Sequence, residues 1–164
     1  MTPLDPNQVK ERSEALLQSA KTVLGSWAAA IAAPAPNRID VTLTPDDLER
    51  AVSTLVTARW GYLAAITGLD IGVTSGMLEV LYHFCSDAVI VTLRVQIPRE
   101  NPAVPSICDK IPYADLYERE LMEMFGITVT NTPSPTRLFV AEDWPEGVFP
   151  LRKDAPVQEP TIRA

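Results

Sequence analysis

The chain has 164 residues, 46% of them hydrophobic, enough for one domain with a buried core plus extensions. A formal net charge of -7, with 14 Lys and Arg scattered along the chain, excludes a general nucleic-acid binder, because neutralising phosphates needs a basic face. No apolar run approaches the roughly 20 residues that span a bilayer, and the longest candidate, residues 23–33, is interrupted by Gly25 and Ser26.

Residues 7–32 carry Val9, Leu16, Ala20, Val23 or Leu24, Trp27 and Ile31 at three- and four-residue steps, which predicts one amphipathic helix. Residues 1–6 read as a loose arm before it, and Pro34-Ala35-Pro36-Asn37 as the hinge that ends it. Packing on its own domain and docking on a partner are equal readings of this helix. The twenty residues before the 23–33 run mix acids and bases, unlike the short basic start of a signal peptide. The expectation is a soluble, cytoplasmic chain.

Arg38–Leu43 alternates, with Ile39, Val41 and Leu43 on one side, and reads as a half-buried strand. Thr44-Pro45-Asp46-Asp47 then starts a helix: threonine as cap, proline at the first position and two acids at the positive end of the dipole. Leu48, Val52, Leu55 and Val56 form its stripe, and it ends near Trp60-Gly61. A strand over 62–67 completes a strand–helix–strand unit, with a right-handed crossover if the two strands are parallel neighbours. Residues 68–76 read as a loop carrying Asp70, and 77–84 and 88–97 as a hairpin turning at Cys85-Ser86-Asp87. Pro98, Pro102, Pro105 and Pro112 argue against sheet or long helix in the following segment, and residues 113–125 form a last helix stopped by Gly126.

The rest has no periodicity yet carries Trp144, Phe149 and Leu151, so its apolar residues are expected to lie against another surface. This divides the chain into an N-terminal helix and linker (1–37), a core domain (38–126) and an extended C-terminal docking tail (127–164).

Candidate chemistry is sparse. His83, the only histidine, lies inside a strand, where a structural role outweighs a ligand or a base. Cys85 and Cys108 form no C-x-x-C pair and read as free thiols of a reducing compartment. Glu118 and Glu120 point apart on a helix, whereas Glu120 and Glu123 share a face, so the spacing delivers no acid–base dyad, and Arg119 makes ion pairing the default. Glu142, Asp143, Arg152, Lys153 and Asp154, interleaved with aromatics, read as an interface network. The favoured class is an interaction subunit. The alternatives are a small stand-alone enzyme using Glu120 or Cys108, and a regulatory or assembly module.

Glu118-Arg119-Glu120 with Phe125-Gly126-Ile127, then Glu142-Asp143-Trp144 and Pro150-Leu151-Arg152-Lys153-Asp154, resembles the 30 kDa subunit family of respiratory complex I, the NADH-quinone oxidoreductase. It equally resembles the counterparts of that subunit in membrane-bound energy-converting nickel-iron hydrogenases. Gly68-Leu69-Asp70, Glu79-Val80-Leu81-Tyr82 and residues 98–106 extend the likeness over residues 39–156. It implies an α+β fold, with a small mixed sheet packed against helices, and a structural subunit of the peripheral arm with no cofactor, catalytic or metal site of its own. Its C-terminal segment would wrap a catalytic large subunit of the 49 kDa or nickel-iron hydrogenase type. Iron–sulfur clusters, and a quinone pocket or nickel-iron centre, would belong to partner subunits, and the chain would sit on the cytoplasmic side of the cell membrane. Glu118, Arg119, Glu120, Phe125 and Gly126 would position the helix, and Arg137, Trp144, Pro150, Arg152 and Lys153 would anchor the tail. Two departures favour the hydrogenase-like branch: Asn131-Thr132-Pro133 stands where complex I members usually have Gly-His-Pro, and the stretch 144–150 is longer than their form.

Overall fold

The computed structural model describes residues 5–25 and 27–156. The elements in chain order are α1 (Pro6–Leu24), β1 (Ala30–Ala35), β2 (Arg38–Leu43), α2 (Pro45–Thr57), β3 (Tyr62–Gly72), β4 (Met77–Ser86), β5 (Val89–Pro98), β6 (Ala103–Pro105), α3 (Asp115–Phe125) and β7 (Thr128–Thr130). Short 3-10 turns stand at Val73–Ser75 and Pro112–Ala114. The fold is α+β. Five strands form one mixed sheet in the order β1-β2-β5-β4-β3, parallel between β2 and β5 and antiparallel elsewhere, and β6 and β7 form a small parallel pair.

Alternation along the strands sorts the side chains onto two faces. Leu78, Val80, Tyr82 and Phe84 of β4 stand beside Ile97, Val95, Leu93 and Val91 of β5, and all eight are buried. Ile39 and Val41 of β2 continue the same rows. Helix α2 covers this face with Leu48, Ala51, Val52 and Leu55, each contributing roughly 1–3 kcal/mol of burial, while Val56 is left exposed. The opposite face is polar. There Arg94 grips Glu79 through two hydrogen bonds of 2.9 and 2.6 Å and reaches Asp40 at 3.0 Å, and Arg38 closes on Asp40 at 2.8 Å. Asp40 and Glu79 are nearly inaccessible, so their charges are balanced within the sheet.

Several expectations need correction. The N-terminal helix stops at Leu24 with Gly25 as its cap, not near residue 32. Residues 30–35 pair with β2 as an edge strand, since a hairpin turning at Pro36-Asn37 satisfies their backbone better than a proline-ended helix. Asn37 then locks the turn to the β4–β5 turn, donating its side-chain amide to the Ala88 carbonyl at 2.6 Å. Helix α1 packs on its own domain, through Ala20 and Leu24 and through the Trp60 indole, which donates to the Leu16 carbonyl at 3.2 Å. Residues 1–4 of the expected arm lie outside the described residues, and Pro6 opens the helix.

Thr44 occupies the cap position of α2, but its hydroxyl donates to the Asp47 carboxylate at 2.7 Å and caps no backbone amide. Strand β3 runs through Asp70 to Gly72 where a loop was expected, because its backbone continues to pair with β4. Strands β2 and β3 are not neighbours: β3 takes the far edge, and the β4–β5 hairpin fills the gap. The handedness condition therefore does not arise. The prolines of 98–112 limit pairing without abolishing it, since β6 still makes three residue pairs with β7. The hairpin turns at Asp87-Ala88, with Ser86 opposite Val89 and Asp87 at φ 49°.

Candidate functional site

Helix α3 is pinned across β3. The hydroxyls of Tyr113 and Tyr117 donate to the carbonyls of Leu63 and Ala64 at 3.1 and 3.0 Å. Phe125 lies against Gly68, where a Cβ would run into the ring. Gly126 ends the helix at φ 64°, donating to Leu121 and Met122, and the Phe149 ring of the tail covers it so closely that a Cβ there would displace the ring. The helix stop and the return of the tail are therefore one feature.

The acids of α3 divide. Glu118 points inward, buried, and accepts from Ser106 Oγ at 2.8 Å, the Ile107 amide at 2.7 Å and Cys108 Sγ at 3.2 Å. It anchors the 106–108 loop. Burial pushes the Cys108 thiol up to about 11, with the neighbouring Glu118 carboxylate adding to it, so it is no thiolate at neutral pH. Glu123 points to the tail, and its carboxylate accepts from the successive amides of Leu138, Phe139 and Val140. Arg119 makes a 3.8 Å ion pair with Asp115, yet its shorter contacts go to the carbonyls of Thr136 (2.8 Å) and Arg137 (2.6 Å). Glu118 and Glu123 serve different loops, and Glu120 is half-buried between them.

The tail is braced from Thr136 to Asp154. Arg137 donates to the carbonyls of Ala141, Glu142 and Trp144 at 3.0–3.3 Å, and the Trp144 indole donates to Val148 at 2.8 Å. These braces border a solvent-open cavity of about 220 Å³ between the tail and α3, lined by Arg119, Met122, Glu123, Arg137, Trp144 and Phe149 among others. Farther on, Leu151 donates its amide to the Met124 carbonyl at 3.1 Å. Arg152 donates to the Phe125 carbonyl at 2.7 Å with its guanidinium 4.8 Å over the Phe149 ring. The last fastening is a buried latch on β3: Asp70 accepts from Arg99, from the Lys153 amide at 2.7 Å and from the Gly72 amide at 2.8 Å, while Arg99 also pairs with Asp154. Burial by itself would raise the Asp70 carboxyl, but the hydrogen bonds from Arg99, Lys153 and Gly72 outweigh it and hold the group at about 2.

Of the residues singled out in the sequence, Glu118, Arg119, Phe125, Gly126, Arg137, Trp144, Arg152, Lys153 and Asp154 enter this internal bracing. The side chains of Glu142, Asp143 and Leu151 are exposed, and Pro150 is half-buried. Sequence reasoning placed Asp70 and Arg99 in stretches that extend the family likeness but gave them no role, and it missed the capping role of Glu123. The available signal was Asp70 as a lone charge between Leu69 and Ile71, and Arg99 directly after the apolar run that ends at Pro98. His83 contacts Thr92 Oγ1 at 3.1 Å on the polar sheet face, and burial followed by the nearby Arg38 lowers its pKa, as suits a structural histidine. Among the described residues no group of three or more His, Cys, Asp or Glu is placed to hold a metal ion, and no helix is long and apolar enough to cross a membrane.

The family model described as "Respiratory-chain NADH dehydrogenase, 30 Kd subunit" matches residues 41–161. The chain is 35% identical over 159 residues to the C subunit of the NADH-quinone oxidoreductase of Roseiflexus sp. (strain RS-1), covering 94% of this chain and 86% of that one. It is 26% identical over 155 residues to Hydrogenase-4 component G of Escherichia coli, covering 93% of this chain but 28% of that one. It spans less than two thirds of the length of most curated relatives it matches. A chain of the membrane-bound sulfane sulfur reductase, an archaeal respiratory membrane complex, superposes with a TM-score of 0.74 at 19% identity, covering 88% of this chain and 86% of that one, and so shares the fold.

Proposed function

The chain belongs to the 30 kDa subunit family of respiratory-chain NADH dehydrogenase, and from that premise we propose that it is a non-catalytic structural subunit of a complex I-like or energy-converting hydrogenase assembly. In this reading it docks on and positions the catalytic large subunit, of the 49 kDa or nickel-iron hydrogenase type, next to iron–sulfur subunits. Electron transfer coupled to ion translocation belongs to the assembly. Iron–sulfur clusters, and a quinone site or nickel-iron centre, lie in the partners, and the chain is peripheral to the cell membrane on its cytoplasmic side. One observation carries the reading: a C-terminal strip without secondary structure of its own is fastened across α3 and β3 from Thr136 to Asp154, while Phe139 and Leu151 face outward. A surface preorganised in this way binds without the cost of ordering a free tail.

Relatives carry both kinds of name, NADH-quinone oxidoreductase and hydrogenase. Thr132 in place of the histidine of Gly-His-Pro favours the hydrogenase-like branch. The stand-alone enzyme reading, which would use Glu120 or Cys108, fares worse on its nucleophile, because the buried Cys108 thiol stays protonated at neutral pH and is engaged with Glu118. The test is isolation of the N-terminally tagged chain from membranes of its source organism in mild detergent, with mass spectrometry and metal analysis. A stoichiometric large subunit with nickel identifies the hydrogenase type, and the same partner without nickel but with quinone reductase activity identifies the complex I type. Recovery of the chain alone refutes the proposal.

A further inference from the structure

The bracing described above leaves one aromatic side chain facing outward on a fixed backbone. The other three phenylalanines are buried or half-buried, whereas Phe139 is 62% exposed, although its amide is held at 2.7 Å by Glu123 and its two neighbours donate to the same carboxylate. Arg137 ties the following turn back at three carbonyls. A large apolar group displayed on a backbone fixed by this many hydrogen bonds has already lost the freedom that binding would remove, which is how interface anchors behave.

Charge selects the occupant. The turn that follows Phe139 exposes Glu142 and Glu146. An acidic rim is repelled by anionic lipid headgroups and by the same rim of a second copy of this chain, but complements a pocket bordered by Lys or Arg. Resting on the subunit reading above, we propose that Phe139 is the anchor of the tail in the large subunit, inserting into an apolar pocket bordered by basic side chains. Trp144, whose indole bonds within the tail, then acts as the brace that holds the anchor in position.

The experiment compares tagged wild-type, Phe139→Ala, Glu142→Lys/Glu146→Lys and Tyr62→Ala chains in complexes isolated from solubilised membranes of the source organism. Quantitative mass spectrometry reads the ratio of large subunit to tagged chain, and thermal melting of each purified chain is recorded beside it. Tyr62, also 62% exposed but on β3, controls for exposure alone. Phe139→Ala is expected to lower the ratio roughly tenfold or more with an unchanged melting temperature. The charge-reversed chain falls likewise, and Tyr62→Ala keeps the wild-type ratio. A wild-type ratio for Phe139→Ala, an equal loss for Tyr62→Ala, or a lowered melting temperature that makes Phe139 part of the chain's own packing overturns the assignment. So does a wild-type dimer, or vesicle binding, that the Phe139 substitution abolishes while the large subunit is retained. Absence of the large subunit from the wild-type preparation overturns the subunit reading together with this inference, whereas lost contrast between variants overturns this inference alone.

Discussion

Replacing Asp70 by Asn tests whether the tail is held by its own domain. The substitution preserves size but removes the charge that faces Arg99 and one of the acceptors that serve the Lys153 and Gly72 amides. The gap between the ordinary carboxyl value of 3.8 and about 2, at roughly 1.4 kcal/mol per pH unit, makes the folded contacts of the ionised group worth about 2 kcal/mol at neutral pH. Leaving the buried Arg99 with Asp154 as its remaining carboxylate partner adds to that, so the total is about 2–4 kcal/mol. For a chain of this size the melting temperature should fall by roughly 5–15 °C. Because the group is held below its unfolded value, its contribution is complete above about pH 4 and is lost as pH falls through about 2. Wild type should therefore lose stability more steeply than Asp70→Asn across that window. Limited trypsin digestion adds a local readout, since Arg152 and Lys153 sit beside the latch: cleavage there should accelerate roughly tenfold or more in the variant. An unchanged melting temperature with an unchanged cleavage pattern would refute the latch.

Two further outcomes follow from the geometry. Gly126→Ala should destabilise by about 1–3 kcal/mol in urea denaturation, because the residue sits at φ 64° and its Cβ would collide with the Phe149 ring; a wild-type midpoint would show that neither constraint operates. Cys108, buried beside Glu118 with its thiol at about 11, should resist alkylation by iodoacetamide at pH 8 until the chain is unfolded. Native labelling at the rate of a free peptide thiol contradicts this.

The sequence by itself determined whatever depends on neighbours a few residues apart. Period-two alternation marked β2 and the β4–β5 hairpin to within a residue or two, helical spacing marked α2 and α3, and the glycine after Phe125 marked a helix stop that the structure confirms at positive φ. It also carried a motif long enough to assign the family. Tertiary structure decided the rest. Residues 30–35 look helical by composition, but become a strand because the open edge of β2 pairs with their backbone along one side. Residues 68–72 extend β3 for the same reason. Of the tail charges read in sequence as an interface network, Glu142 and Asp143 stay exposed, whereas Arg152 and Asp154 turn back onto the domain; the Lys153 amide meets Asp70 and Asp154 meets Arg99 across 83 and 55 residues. No local pattern encodes such pairings, since a carboxylate takes its partner from whatever donor the fold brings within about 3 Å. The same folding separates braces from anchors, leaving Phe139 in solvent while Phe149, ten residues later, covers a glycine.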